Sequence, residues 1–158
     1  MQTEDAATEA PITACPLCLG DGGDVVLRSE LLRVVLVDEP DYPGFCRVIV
    51  NAHVREMTDL APPQIARLIG VVLAVEDAQR AVLNPLKINL ASFGNMTPHL
   101  HWHVIPRWAD DAHFPQPVWG VKQRDSDEAA LAARRALLPR LVEEICSRIP
   151  DAGAASAP

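Results

Sequence analysis

From position 99 the chain reads His99-Leu100-His101-Trp102-His103-Val104-Ile105, polar and apolar residues alternating one by one through Val104. Side chains on a strand point to opposite faces with a period of two, so residues 99–107 predict a strand. Its three imidazoles share one face, and Leu100, Trp102 and Val104 form the other. Such a strand needs neighbours and a covering layer. VVLR, LLRVVLVD and FCRVIVNA, from Asp24 onward, are β-branched and apolar, and turn formers such as Glu39-Pro40-Asp41-Tyr42-Pro43-Gly44 divide them. They predict three strands in antiparallel succession. KINLASF (87–93) predicts another, joined to the histidine strand by Gly94-Asn95-Met96-Thr97-Pro98.

The covering layer is helical. After a start at Thr58-Asp59, Ile65, Leu68, Ile69, Val72 and Leu73 recur at intervals of three and four, and Asn84-Pro85 ends the run. Ser126 to Ile149 predicts a C-terminal helical segment, interrupted at Pro139. The order β-β-β-α-β-β makes the fold class α+β, an antiparallel sheet of about five strands with one main helix packed on it. One domain is expected over 15–125, with a helical extension over 126–149. Residues 1–14 are acidic and rich in Ala and Thr, and 150–158 are small with Pro and Gly; both ends read as disordered.

Charge and hydropathy narrow the function classes. The net charge is −7, and only Lys87 and Lys122 are lysine, so a binder of bulk nucleic acid, which needs a basic face, is excluded. A nucleotide-sized phosphate ester needs only a few donors and leaves no mark on overall charge. The longest apolar run, Ile69 to Val75, is far short of the roughly 20 residues a membrane helix needs. With no charged-then-apolar leader, a cytoplasmic protein is expected, its four cysteines (15, 18, 46, 146) reduced. Gly20, Gly22 and Gly23 read as a turn, and no Gly-rich phosphate loop is present. Cys46 and Cys146 read as small buried hydrophobes.

Three uses fit three histidines on one strand face: a polar face toward solvent, a metal site, or covalent catalysis. Imidazole is largely unprotonated at neutral pH and nucleophilic, and a nucleotidylated histidine hydrolyses readily, so one difficult displacement becomes two easier ones. Neighbouring histidines can fix its tautomer and assist the leaving group. Separately, Cys15-x-x-Cys18 is half of a tetrahedral zinc site, and His53 could supply a further ligand. The alternative leaves both cysteines as free thiols on an N-terminal arm.

His99-Leu-His101-Trp-His103-Val-Ile resembles the His-φ-His-φ-His-φ-φ signature (φ apolar) of the histidine triad superfamily, which includes nucleoside phosphoramidate hydrolases and diadenosine polyphosphate hydrolases. Leu36-Val-Asp38, Pro43-Gly44, Val48-Ile-Val50, His53, Met57-Thr-Asp-Leu60 and Ile88-Asn89 follow in the family's order, so residues 15 to 107 are covered. The resemblance implies hydrolysis at the α-phosphorus of a small nucleotide through a nucleotidyl-histidine, or transfer of the nucleotidyl group to another acceptor. It implies catalytic roles for the triad His99, His101 and His103, with His101 the nucleophile and His103 the aid to the leaving group. It further implies that Asp38 holds ribose hydroxyls and that Asn89 and Asn95 contact phosphate or ribose. By the same resemblance Cys15, Cys18, His53 and His99 bind a structural zinc, no organic cofactor is used, and the protein is a homodimer. A non-catalytic nucleotide-binding or zinc-stabilised interaction protein is the competing reading. The chain departs from the family at Gly44-Phe45-Cys46-Arg47-Val48, where many members have Gly-His-Val-Leu-Val, and at Gly94-Asn95-Met96-Thr97, where Gly-Gln-Ser/Thr is common. Trp108 and Trp119 read as core or interface residues, or as borders of the pocket.

Overall fold

A computed structural model describes residues 14–150 and 153–154. The expected disordered arms fall mostly on residues 1–13, 151–152 and 155–158, which lie outside the described residues. Strands β1 (Asp24–Arg28), β2 (Leu32–Leu36) and β3 (Cys46–Val50) form the expected antiparallel meander. β4 (Lys87–Ala91) and β5 (His101–Arg107) complete five strands. A sixth, β6 (Gly153–Ala154), pairs with the outer side of β1, so the order is β4-β5-β3-β2-β1-β6. Its composition argued for disorder, but backbone pairing to a sheet edge requires no particular side chains. The histidine strand β5 is interior, paired on both sides, and this holds its alternating side chains in fixed directions.

Helix α2 (Pro62–Leu83) opens with prolines in its first turn, where the missing N–H would have no partner, and Gln64 accepts from the Ala61 amide at 2.9 Å. Asn84 ends it in the left-handed conformation, φ 46°. Its buried stripe runs through Leu68, Val71, Val72, Val75, Ala78 and Val82 onto Val34, Val48 and Val104 of the sheet. Leu73, expected on that stripe, is 51 % exposed. The stretch Ile69 to Val75 is apolar all round, so spacing alone cannot choose its inward face. Buried Gln79 helps to set it, because its Nε2 donates to the carbonyls of Gly44 (2.8 Å) and Val104 (2.9 Å). Gly44, at φ 88°, is required where it lies, since a Cβ there would come within 2.5 Å of Leu83.

The C-terminal segment is two helices rather than one kinked helix. α3 (Glu128–Arg135) is capped by Asp127, whose carboxylate accepts from the amides of Ala129 and Ala130. Pro139 sits in the first turn of α4 (Leu138–Arg148), a position proline favours, and Leu141 and Ile145 pack into the core.

The sheet face opposite α2 is covered only at its ends. At one end Cys15 and the short helix α1 (Pro16–Leu19) lie on Val35 and Ile49. Arg33, 3 % exposed, holds this segment by donating to the carbonyls of Leu17 (2.7 Å), Gly20 (3.2 Å) and Asp21 (2.9 Å). At the other end the loop over 108–124 covers Tyr42, Phe45 and Ile105. The Arg107–Asp111 ion pair anchors that loop, with side chains 2 % and 0 % exposed. The middle of the face stays open.

Candidate active site

The opening is a groove of about 690 Å³ that brings together Arg47 of β3, His101 and His103 of β5, Phe93 and Asn95 of the β4–β5 connection, and Trp119 of the loop. Its volume falls in the range of small-molecule sites. Trp119 packs edge-on to His103 at 4.9 Å between centroids and to Phe93 at 5.2 Å, whereas Trp108 is core.

The three histidines divide into two environments. The imidazole of His101 donates from Nδ1 to the carbonyl oxygen of His99 at 2.6 Å, which leaves Nε2 with a free lone pair. Burial lowers its pKa, with the Arg47 charge adding to the effect and the His99 carbonyl opposing it. A neutral Nε2 on the groove is an unmasked nucleophile. His103, 6 % exposed, meets His101 edge-on at 4.8 Å, and burial followed by the charges of His101 and Arg47 pushes its pKa down to about 3. It therefore stands as a neutral hydrogen-bonding group, and its buried Nδ1 has no partner.

His99 is fully buried and carries the opposite tautomer: Nε2 donates to the Val50 carbonyl at 2.6 Å, so Nδ1 is the free ligand atom. That atom lies 3.4 Å from the Cys15 sulfur and 3.5 Å from that of Cys18, and Cys18 lies 3.2 Å from His53 Nδ1. The four donor atoms are all within 4.8 Å of one another. Tetrahedral zinc, with bonds of ~2.3 Å to sulfur and ~2.0 Å to nitrogen, sets ligand atoms about 3–4 Å apart, and a carbonyl behind the histidine is its usual support. The residues present fit the ion. Arg33, through α1, and the β3–β5 pairing carry the two halves of the cluster to the same end of the groove.

Residues 22–110 match the family model described as the HIT domain. This chain belongs to the HIT domain family. It is 31 % identical over 123 residues to a protein of Mycobacterium tuberculosis named AP-4-A phosphorylase, covering 74 % of this chain and 63 % of the relative. It is 26 % identical to the asymmetrical bis(5'-nucleosyl)-tetraphosphatase of Schizosaccharomyces pombe, covering 71 % and 63 %. The chain thus spans somewhat less than two thirds of the length of these curated relatives. Among solved structures, a histidine triad protein from Bradyrhizobium japonicum superposes with a TM-score of 0.66 at 26 % identity, covering 83 % of this chain and 93 % of that one.

Within the HIT domain the other expected site residues separate. Asn95 lines the groove. Asn89 does not: it lines an adjoining cavity beyond Trp119, and its Oδ1 accepts from Arg107 Nη1 at 2.7 Å. Asp38 is exposed past the end of β2 and is not among the groove's lining residues. Two features passed unread in the sequence. Arg47 interrupts an otherwise apolar strand, and that interruption was the available signal. Asp111 accepts from Arg107, Tyr42 and three backbone amides, a knot that only the fold assembles. Cys46 is inert by comparison, its thiol pushed up to about 12 by burial. Among the described residues no helix is long and apolar enough to cross a membrane.

Proposed function

We propose that this HIT domain chain processes nucleotides by transferring a nucleoside monophosphate group through His101. Nε2 attacks the α-phosphorus of a phosphoramidate or dinucleoside polyphosphate in line with the leaving group, and water then releases the nucleotidyl group. The observation that carries the reading is the hydrogen bond from His101 Nδ1 to the His99 carbonyl, which holds Nε2 unprotonated on a nucleotide-sized groove. His103 acts as hydrogen-bond donor to the bridging atom as it departs, and Asn95 contacts the phosphate. Asp38 and Asn89 lie outside this groove and have no part in the displacement.

Transfer to inorganic phosphate is the second outcome of the same chemistry, favoured by the name of the Mycobacterium tuberculosis relative, AP-4-A phosphorylase. Cys15, Cys18, His53 and His99 hold a structural zinc, which fastens the N-terminal segment to β5 and takes no part in the displacement. The protein is a cytoplasmic homodimer on this reading. β4 is a sheet edge, and Leu86 just before it and Leu90 within it are 64 % and 38 % exposed, a face suited to a second copy.

Replacement of His101 by Asn tests the reading. Cleavage of diadenosine tetraphosphate and of adenosine 5′-phosphoramidate is expected to fall by about three orders of magnitude or more with nucleotide binding kept. Wild-type protein that cleaves neither, or a variant that cleaves both normally, contradicts it.

A further inference from the structure

Among the residues lining the groove Arg47 alone carries a fixed charge. The chain as a whole bears −7. Any nucleotide with more than one phosphate brings several negative charges into this groove.

The position of Arg47 follows from strand register. It stands opposite His103 across the β3–β5 pair, one pleat from Ile49, which stands opposite His101. Its side chain therefore leaves the sheet on the face of the two imidazoles. There it is braced rather than neutralised: Nη1 donates to the Gly22 carbonyl at 3.1 Å, and the guanidinium lies 5.9 Å from the Phe45 ring centroid. Nε is buried with no partner, and Arg47 makes no salt bridge with a described residue. The Glu39 carboxylate acts on it only from beyond salt-bridge distance, which leaves a half-buried guanidinium incompletely compensated, and planar Arg donors match phosphate oxygens in pairs.

We propose that Arg47 is the groove's phosphate-holding cation, binding the phosphate that neighbours the scissile α-phosphorus. This rests on the nucleotidyl-transfer reading. His101 must attack opposite the leaving group, and the acceptor must later attack opposite His101. The departing and the incoming group thus occupy the same side of the α-phosphorus in turn, and one cation serves both. With inorganic phosphate as acceptor, a phosphate oxygen forms the new P–O bond while the P–Nε2 bond breaks. The bonding pair returns to Nε2 and the acceptor's proton stays on its own phosphate, giving a nucleoside diphosphate. With water as acceptor, Arg47 serves only the leaving polyphosphate.

The test compares the full-length wild type with Arg47→Leu and Arg47→Lys. Equilibrium titration with ATP and with adenosine is expected to show ATP binding weakened roughly 10- to 100-fold in Arg47→Leu and less in Arg47→Lys. The effect on adenosine is expected to be at least tenfold smaller. Turnover of diadenosine tetraphosphate with and without inorganic phosphate separates the two sources. A loss that is equal under both conditions assigns the site to the leaving group, and a loss larger in phosphate-dependent ADP formation assigns it also to the acceptor. ATP bound equally by wild type and Arg47→Leu, or ATP and adenosine weakened alike, overturns the proposal. Arg47-dependent ATP binding in a wild type that turns over no nucleotide overturns the transfer reading alone, and a wild type that neither binds nor cleaves overturns both.

Discussion

His101 and His99, two residues apart, are locked as opposite tautomers by backbone carbonyls: His101 donates from Nδ1 to His99 itself, and His99 donates from Nε2 to Val50, each at 2.6 Å. One imidazole presents Nε2 to the groove, and the other presents Nδ1 to the cysteine pair. Because both acceptors are main chain, side-chain substitution nearby leaves them in place. Nitrogen-15 imidazole spectra of the protein are expected to show Nδ1–H for His101 and Nε2–H for His99, and to keep both in His103→Gln. The reverse tautomer at His101 contradicts the assignment of its nucleophilic atom.

Zinc binding by Cys15, Cys18, His53 and His99 predicts one ion per chain, lost in Cys18→Ser. Ligand and metal stabilise the fold together, so a loss on the order of 3 kcal/mol lowers the Tm by about 6–12 °C. Elemental analysis and thermal unfolding check both figures. Unchanged Tm with full loss of metal would mean that the ion does not fasten the N-terminal segment.

The buried Arg107–Asp111 pair predicts a large effect from a residue that touches no expected substrate. Burial alone raises the Asp111 pKa, but hydrogen bonds from Arg107 and from the amides of His113 and Trp108 outweigh it and hold the carboxyl below its usual value. Arg107→Ala leaves that charge buried and unpaired, at a cost of about 3–5 kcal/mol in denaturant unfolding. Trp119, carried by the same loop, is then released from His103, and KM rises. A cost below ~1 kcal/mol would mean that the loop is anchored by its apolar contacts to Tyr42 and Phe45 instead.

His103 predicts a definite pH dependence. Its folded pKa of about 3 lies below the ordinary 6.5, so as pH falls the unfolded chain takes up this proton first. Its contribution to stability is complete above about pH 6.5 and is lost progressively toward pH 3. The difference in unfolding free energy between wild type and His103→Gln, measured at about pH 7 and pH 5, is expected to shift against the wild type at the lower pH. A shift in its favour contradicts a neutral His103.

Much of this architecture was legible because backbone periodicity fixes it locally. The alternation at 99–105 placed Leu100, Trp102 and Val104 in the core beneath α2, and the three β-branched runs after Asp24 became the meander. The Cys15/Cys18 pair joins His53 and His99 as the family resemblance implied. The inward face of α2 was not legible, because Gln79 chooses it through two carbonyls that are distant in sequence. Nor was the split of the site residues: Asn95 reaches the groove through the β4–β5 turn, while Asn89 turns to Arg107, which only β4–β5 pairing brings near. Trp119 borders the groove because Asp111 folds its loop back across Ile105, a contact that no spacing in the sequence encodes.

The central claim is a covalent bond from His101 Nε2 to an α-phosphorus. Rapid acid- or base-quench of the protein with diadenosine tetraphosphate, followed by intact mass spectrometry and peptide mapping, reads it directly. The account predicts an added nucleoside monophosphate on the peptide bearing His101, absent in His101→Asn. Turnover with no adduct at any quench time, or an adduct that persists in His101→Asn, would contradict it.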